Sequence, residues 1–244
     1  MVIKTDDKIT TNIKLKQLSF GDETREKWIE KILNRISAGK RILDAGAGQL
    51  KNKKFCQHLN YVSQDFCQYD GSGNGVGIQK GSWDTKRIDI VSDITEIPEK
   101  SASFDAILCI AVIEHIPSPD KALQEFYRLL KQDGKLILSA PFASTTHFAP
   151  YHFYSGFTRY FYEEKLKKSG FINYEIEPNG NFFDFIQAVL HNLPEFIKIF
   201  STYDLKSNDL TNIHHLSEIL SEASITSKNA EELLNFGYNV IAYK

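Results

Sequence analysis

The fold is decided by a short stretch at residues 42–48, which reads Ile-Leu-Asp-Ala-Gly-Ala-Gly. Its apolar start predicts a short buried strand, and its two glycines predict a tight turn directly after that strand. Glycine permits positive φ angles and lets another molecule approach the backbone closely. The stretch therefore predicts a turn over which a ligand lies, although a plain strand-to-helix turn would show the same pattern.

Strand and helix patterns alternate on both sides of this turn. Helices are predicted at 22–37, 119–131 and 158–168, and strands at 41–44, 61–65, 88–93, 104–109, 135–139, 171–177 and 238–243. Such alternation predicts an α/β protein whose mostly parallel sheet carries helices on both faces. Ligands of these sheets bind outside the carboxyl ends of the strands. The site is therefore expected near Asp44, Asp65, Asp93 and Cys109.

Residues 1–21 are polar and irregular and are predicted to form an N-terminal arm before a single domain at 22–244. A helical insert is predicted at 182–232, where a short hairpin would join the last two strands. Its apolar segment at 182–200 contains Pro194, which should break or kink the helix. We rank a cap over the substrate pocket first, a homodimer interface second and a membrane-surface helix third. The membrane comes last because the segment lacks a Lys/Arg-rich face.

The charge and the cysteines narrow the function classes. The chain has 29 basic and 31 acidic residues, for a net charge of −2, whereas proteins that grip a nucleic-acid backbone usually carry a basic surplus. Its three cysteines are odd in number and form no CxxC pair, which favours a reducing compartment. No signal peptide or apolar run long enough to span a membrane is evident. The expected location is the cytoplasm.

The glycine turn is a poor match for a pyrophosphate. The dinucleotide fingerprint needs a third glycine where this chain has Lys51. Asp44 would repel a phosphate but suits a cationic ligand such as S-adenosylmethionine, which carries an ammonium and a sulfonium group. Asp65 follows Gly48 by 17 positions, near the place where an acid accepts hydrogen bonds from ribose hydroxyls. A strand-end cap is the alternative role for Asp65, and the glycine turn favours the ribose.

Four stretches resemble, in order, the class I S-adenosylmethionine-dependent methyltransferases. They are residues 42–48, 61–66, 90–94 and 103–116, and residues 129–138 resemble the helix, turn and fifth strand that follow in that group. The resemblance covers about residues 22–177 and the last strand. It implies a Rossmann-like, seven-stranded, mostly parallel sheet with helices on both faces and a helical insert before the last strand.

The resemblance also implies roles for nine cofactor-binding residues. They are Asp44, Gly46 and Gly48 at the methionine part, Asp65 at the ribose, Phe66, Asp93 and Ile94 at the adenine, and Cys109 and Ile110 along the fourth strand. Asp44 would reach the ammonium group directly or through water. Phe66 and Ile110 would also suit the hydrophobic core, and Asp93 would also suit a cap on Thr95.

Methyl transfer from a sulfonium is an in-line displacement, so the protein mainly positions the reactants and excludes water. An oxygen nucleophile of high pKa also needs a general base, usually a histidine. The candidate catalytic residues are His115, His147 and His152, and the candidate substrate-binding residues are Tyr151, Tyr154 and Arg159. His115 would equally suit a structural role, and Arg159 would equally suit a pair with Glu163.

The leading function is the S-adenosylmethionine-dependent methylation of an oxygen or nitrogen atom of a small molecule: a sugar, a lipid-linked intermediate or a secondary metabolite. No Asn/Asp-Pro-Pro-Tyr/Phe signature of base-methylating enzymes follows the fourth strand, so nucleic acid is not the expected substrate. No metal site is expected, because the histidines at 147–152 and 214–215 lack convincing carboxylate spacing. The alternatives are an NAD-type oxidoreductase and a non-catalytic ligand-binding relative.

Overall fold

A computed structural model describes residues 19–244, so most of the predicted arm at 1–21 lies outside the described residues. The helices are α1 (Ser19–Leu33), α2 (Pro119–Leu129), α3 (Arg159–Ser169), α4 (Phe182–Phe200) and α5 (Ser207–Ile225). The strands are β1 (Arg41–Ala45), β2 (Asn60–Asp65), β3 (Ile90–Val91), β4 (Phe104–Ile110), β5 (Leu130–Pro141), β6 (Asn173–Asn179) and β7 (Gly237–Tyr243). Single 3-10 turns span Lys51–Phe55 and Ile113–His115.

The seven strands form one sheet in the order β3-β2-β1-β4-β5-β7-β6. Strands β1 to β5 pair in parallel, and β7 runs antiparallel to both β5 and β6. The predicted fold class is therefore confirmed. The chain runs outward from β1 to β2 and β3 and then returns to place β4 on the other side of β1. This reversal opens a crevice at the carboxyl ends of β1, β2 and β4.

The core has two layers because alternate side chains of each strand point to opposite faces of the sheet. On β4, Phe104, Ile107 and Cys109 pack on one face with the buried side chains of α2 and α3. Ala106 and Leu108 pack on the other face with Ile29, Ile32, Leu33 and Ile36 from α1 and the turn after it. The two layers hold the strand ends, and hence the crevice, in fixed positions.

The third strand is much shorter than the predicted 88–93, since only Ile90 and Val91 pair with β2. Just before them, Asp89 Oδ2 accepts hydrogen bonds from Ser63 N at 2.9 Å and Ser63 Oγ at 2.7 Å. The Asp89 side chain thus accepts the backbone hydrogen bond of β2 that a longer β3 would otherwise accept. The segment after the glycine turn forms only the 3-10 turn Lys51–Phe55.

Two helices, α4 and α5, fill the predicted insert. Asn181 caps α4, because its Oδ1 accepts a hydrogen bond from Phe183 N at 2.9 Å. In return, Asp184 Oδ2 accepts a hydrogen bond from Asn181 N. Ser224 of α5 donates to Asp184 at 2.6 Å and so ties the two helices together. Of the break or kink predicted at Pro194, the break is wrong, because α4 continues through this residue. Within residues 19–244, no helix is both long and apolar enough to cross a membrane.

Candidate active site

The glycine turn follows β1 with positive φ angles of 77° at Gly46 and 50° at Gly48. The backbone N–H groups of Gly46 and Ala47 both donate to the Gln64 carbonyl at 2.8 Å. A Cβ atom at Gly46 would lie 2.5 Å from the Val112 side chain, and one at Gly48 would lie 2.7 Å from Trp83. Both positions therefore need glycine for backbone conformation and for space.

A cavity of about 480 Å³ lies beside this turn, at the carboxyl ends of β1, β2 and β4. This volume falls in the range of pockets that hold small molecules and cofactors. Six of the nine predicted cofactor residues line it, namely Gly46, Gly48, Asp65, Phe66, Asp93 and Ile94. We call this space the nucleoside cavity. Its location is the one that the parallel-sheet rule predicts.

Asp65 is the last residue of β2 and is almost fully buried. Its Oδ2 accepts from Gly48 N at 2.9 Å, and its Oδ1 accepts from Cys67 N at 2.9 Å. The carboxylate thus caps the strand end and fixes the glycine turn against β2. Because each carboxylate oxygen accepts more than one hydrogen bond, both oxygens retain capacity for a ligand in the nucleoside cavity.

The far end of the nucleoside cavity is an apolar slot with one polar edge. Phe66 meets Tyr151 edge to face, with ring centroids 5.0 Å apart. Asp93 Oδ1 accepts from both the N–H and the hydroxyl of Thr95 at 2.8 Å, so the alternative role of Asp93 as a cap is realised. Asp93 nevertheless lines the slot together with Ile94. Such a slot suits a flat heteroaromatic ring.

Three predicted cofactor residues lie elsewhere. Asp44 is buried beneath the turn, where its Oδ2 accepts from the Tyr61 hydroxyl at 2.7 Å, and it lines neither cavity described here. Burial raises the pKa of Asp44 to about 6. The prediction for Cys109 is wrong, because its side chain points into the core on the α2 and α3 face. Ile110, one residue later, lines a second cavity instead.

That second cavity has a volume of about 860 Å³ and lies between the glycine turn, α1, α4 and the loop after β5. We call it the outer cavity. Its wall includes Phe185, Val189 and Phe196 of α4. Six residues line both cavities, namely Gly46, Gly48, Trp83, Ala111, His115 and Phe148. The two spaces therefore meet at these six residues, and a molecule in one would contact a molecule in the other.

The three candidate catalytic histidines lie together at this junction. Ring centroids are 4.7 Å apart for His115 and His147, 4.6 Å for His147 and His152, and 5.8 Å for His115 and His152. Burial lowers the pKa of all three, and for His115 burial together with the nearby His147 lowers it to about 3. The cluster is therefore neutral at physiological pH, with lone pairs available to accept hydrogen bonds.

Glu114 is a site residue that the sequence analysis missed. Its side chain is 1% exposed, its Oε1 lies 3.8 Å from His115 Nε2, and it lines the outer cavity. Burial raises the pKa of Glu114 to about 7. The sequence spacing around the histidines at 147–152 does not reveal this carboxylate, because it lies on a different segment of the chain. Glu114 adjoins His115 in sequence, but only the return of the loop after β5 brings His147 beside them.

The candidate substrate residues separate in the structure. Tyr151 lines the nucleoside cavity. Tyr154 and Arg159 line neither cavity, and their role in substrate binding stays a prediction. The Tyr154 hydroxyl donates to the Pro117 carbonyl at 3.0 Å. Arg159 pairs with Glu232 at 2.9 Å, because the start of α3 faces the segment that returns from the insert.

An aromatic roof covers the junction and was also missed. Tyr69 stacks on Phe148 at 4.7 Å, and Trp83 meets both rings edge to face at 5.6 and 5.3 Å. Two loops supply these rings. Their backbones are joined where Ile78 N donates to the Thr146 carbonyl at 2.9 Å and Phe148 N donates to the Ile78 carbonyl at 3.0 Å. The only sequence signal was a glycine-rich loop flanked by aromatic residues.

The arrangement agrees with a comparison against known families, in which residues 19–175 match the model of a methyltransferase domain. This chain belongs to the methyltransferase domain family. The match runs from α1 into β6 and so includes the glycine turn, both sides of the crevice and all three histidines. The insert that carries α4 and α5 lies outside the matched region.

Individual relatives are more distant. A ubiquinone biosynthesis O-methyltransferase of Coxiella burnetii is 28% identical over 130 residues, which cover 52% of this chain and 53% of the relative. The chain thus spans about half the length of the curated relatives that it matches first. The aligned half supports membership of the family. It does not extend to the activity of these relatives as whole proteins.

Solved structures share the fold. A SAM-dependent methyltransferase from Archaeoglobus fulgidus has a TM-score of 0.53 and 16% identity, covering 93% of this chain and 99% of its own. A Haemonchus contortus phosphoethanolamine N-methyltransferase 2, solved with phosphomonomethylethanolamine and S-adenosylhomocysteine, has a TM-score of 0.52 and 21% identity, covering 90% of this chain and 52% of its own. At these identities the similarity establishes the architecture.

Proposed function

We propose that this protein is an S-adenosylmethionine-dependent methyltransferase that acts on an oxygen or nitrogen atom of a small molecule. The observation that carries the proposal is the meeting of the nucleoside cavity and the outer cavity at His115 and the glycine turn. A methyltransferase needs two adjoining spaces of this kind, because the methyl group must face its acceptor within one water-excluding site.

In the proposed complex, Asp65 accepts hydrogen bonds from the ribose hydroxyls, and the adenine occupies the slot beside Phe66, Asp93 and Ile94. The methionine part would pass over Gly46 and Gly48, which line the nucleoside cavity without side chains. Asp44 lies below the turn. Its carboxylate would attract the ammonium group electrostatically without contacting it. When bound, the cofactor supplies the reactive methyl carbon and the leaving group.

The protein's own part in catalysis is to position the acceptor and to exclude water. The aromatic roof of Tyr69, Trp83 and Phe148 closes the junction from above. The histidine cluster offers acceptors for the O–H or N–H group of the substrate. A histidine with a pKa of about 3 retains a proton poorly. We therefore assign His115 the orientation of the nucleophile rather than storage of its proton.

The outer cavity holds the acceptor, and α4 is its cap. The side chains that α4 contributes, Phe185, Val189 and Phe196, favour a substrate with an apolar part. The names of the similar proteins, an O-methyltransferase and a phosphoethanolamine N-methyltransferase, agree with small acceptors of either atom type. The three unpaired cysteines favour work in the reducing cytoplasm.

Calorimetric titration of the purified protein with S-adenosylhomocysteine, beside an identical titration with NAD, tests the proposal. We expect saturable binding of S-adenosylhomocysteine near one equivalent and no binding of NAD. Asp44 would repel a pyrophosphate, and Lys51 stands where the dinucleotide fingerprint needs its third glycine. Binding of NAD alone would move the protein to the oxidoreductase alternative. Binding of neither would leave the non-catalytic relative.

Asp44 makes this binding dependent on pH. Burial holds its pKa at about 6 in the free protein, and a cationic ammonium group nearby favours the ionised carboxylate, so binding should lower that pKa. Binding therefore releases a proton, and affinity should rise as the pH increases through 6 and level off above it. At pH 6 about half of Asp44 is protonated, so about half a proton should leave per ligand.

Titrations of S-adenosylhomocysteine at pH 6, in buffers of different ionisation enthalpy, measure the released proton. Asp44→Asn is the control, because an amide does not titrate but keeps an acceptor for the Tyr61 hydroxyl. Equal proton release by the two proteins would show that another group is responsible and would remove Asp44 from the ammonium site.

A further inference from the structure

The two cavities alone do not explain one cluster of side chains. It consists of Glu114, His115 and His147. One ligand atom from each residue, a carboxylate oxygen or an imidazole nitrogen, lies within 4.8 Å of the other two. The Nε2 atom of His115 and the Oε1 atom of Glu114 are 3.8 Å apart. Three donors from two separate loops thus converge at one point beside the outer cavity.

The two imidazoles are held in the orientation that metal-binding histidines adopt. His115 Nδ1 lies 2.6 Å from the Tyr151 carbonyl, and His147 Nδ1 lies 2.9 Å from the Thr145 carbonyl. A carbonyl oxygen can only accept a hydrogen bond, so each Nδ1 must carry the proton. Each Nε2 therefore presents a lone pair. Backbone carbonyls fix the tautomer of metal-binding histidines in this same way.

Glu114 provides an independent indication. Its carboxylate is almost fully buried, yet Oε2 has no hydrogen-bond partner among residues 19–244. A buried carboxylate oxygen without a partner is costly, since it loses its water and gains nothing in return. Arg25 acts on Glu114 electrostatically, but its guanidinium is already paired with Asp22 at 2.5 Å. Arg25 therefore does not provide the missing hydrogen-bond partner of Glu114 Oε2.

We propose that Glu114, His115 and His147 bind one divalent transition-metal ion at the junction of the two cavities. Two imidazoles and one carboxylate favour Zn²⁺, Mn²⁺ or Fe²⁺ over Mg²⁺ and Ca²⁺, which prefer sets made only of oxygen ligands. The ligand atoms of a tetrahedral zinc site lie about 3.4 Å apart. The three side chains would therefore close by roughly 1 Å on binding.

Three protein ligands leave coordination positions open toward the outer cavity. The catalytic role of the ion rests on the proposed function, whereas its binding does not. A substrate hydroxyl on the metal loses its proton to solvent more readily. The oxygen then attacks the methyl carbon with one electron pair, the carbon–sulfur bond breaks, and its electrons remain on sulfur as a neutral thioether. The ion would take the place of a general base.

Titration of chelator-treated protein with Co²⁺ tests the site, with visible absorption to report the ligand field and competition by Zn²⁺ to report affinity. We expect one equivalent of Co²⁺ to bind and to be displaced by Zn²⁺. Glu114→Gln and His147→Ala should each weaken Co²⁺ binding by about tenfold or more, since each removes one ligand. His147 lies on a loop, so His147→Ala decides the matter if Glu114→Gln does not fold.

Glu218→Gln is the matched control. Glu218 lies 3.5 Å from His214 and 3.6 Å from His215 on the exposed surface of α5. These residues are also one glutamate and two histidines, but they are exposed and not buried. We expect its Co²⁺ binding to equal that of the unmodified protein. Weak binding of several equivalents, or binding that both site variants retain, would overturn the metal site. S-Adenosylhomocysteine binding measured without metal reports the proposed function separately.

Discussion

Asp65→Ala should weaken S-adenosylhomocysteine binding by on the order of 100-fold or more. A hydrogen bond to a charged group contributes about 1.5–3 kcal/mol, and a factor of ten corresponds to about 1.4 kcal/mol. Two ribose hydroxyls on one carboxylate therefore account for a loss of this size. The substitution also frees Gly48 N and Cys67 N, which Asp65 now holds. Calorimetric titration measures the effect.

Asp70→Ala separates the ribose contacts from the structural role of a capping carboxylate. Asp70 also accepts backbone hydrogen bonds, from Ser72 N at 2.8 Å and Gly73 N at 3.0 Å, but it lines neither cavity. We expect this variant to bind S-adenosylhomocysteine within about threefold of the unmodified protein, since no cofactor contact is lost. Similar losses in both variants would mean that loop order, and not the ribose, determines affinity at Asp65.

Gly46→Ala should both destabilise the protein and abolish measurable S-adenosylhomocysteine binding. Alanine at a positive φ costs roughly 1–2 kcal/mol, and overpacking a filled site adds about 1–3 kcal/mol. The new Cβ would lie 2.5 Å from Val112, so the turn or the start of the Ile113–His115 turn must move. Either movement changes the floor of the nucleoside cavity. Thermal melting and calorimetric titration measure the two effects.

Gly75 offers the control, because its φ is also 77° but no atom lies within 4 Å of a Cβ placed there. Gly75→Ala thus introduces the same backbone strain without the steric clash. We expect a loss of about 1 kcal/mol of stability and unchanged S-adenosylhomocysteine binding. If Gly46→Ala melted and bound like Gly75→Ala, the close approach of Val112 to the turn would have no functional importance.

The parts of this protein that were predictable from sequence depend on local pattern. A few adjacent residues set the geometry of a strand and of the turn after it. Gly46, Gly48 and Asp65 could therefore be assigned to the crevice from their places at the ends of the predicted strands. The position of the last strand followed from its apolar run. Even here the ends differ, as in β3, where the Asp89 side chain rather than a longer strand pairs with Ser63.

The parts that were missed depend on contacts between distant segments. Cys109 and Ile110 lie on opposite faces of β4, and only the observed twist and register decide which of them reaches a cavity. Glu114 gains its importance from His147, which a long loop returns to its side. Arg159 had a plausible partner one helical turn away, yet the fold offered Glu232 from the far end of the insert.

The shared wall of the two cavities has a thermodynamic consequence. Trp83 and Phe148 contact both spaces, and the loops that carry them are joined by backbone hydrogen bonds. A ligand that orders this wall from one side pays the cost of ordering once, and a second ligand on the other side does not pay it again. Cofactor and acceptor are thereby coupled, and the factor by which one tightens the other is the same in both directions.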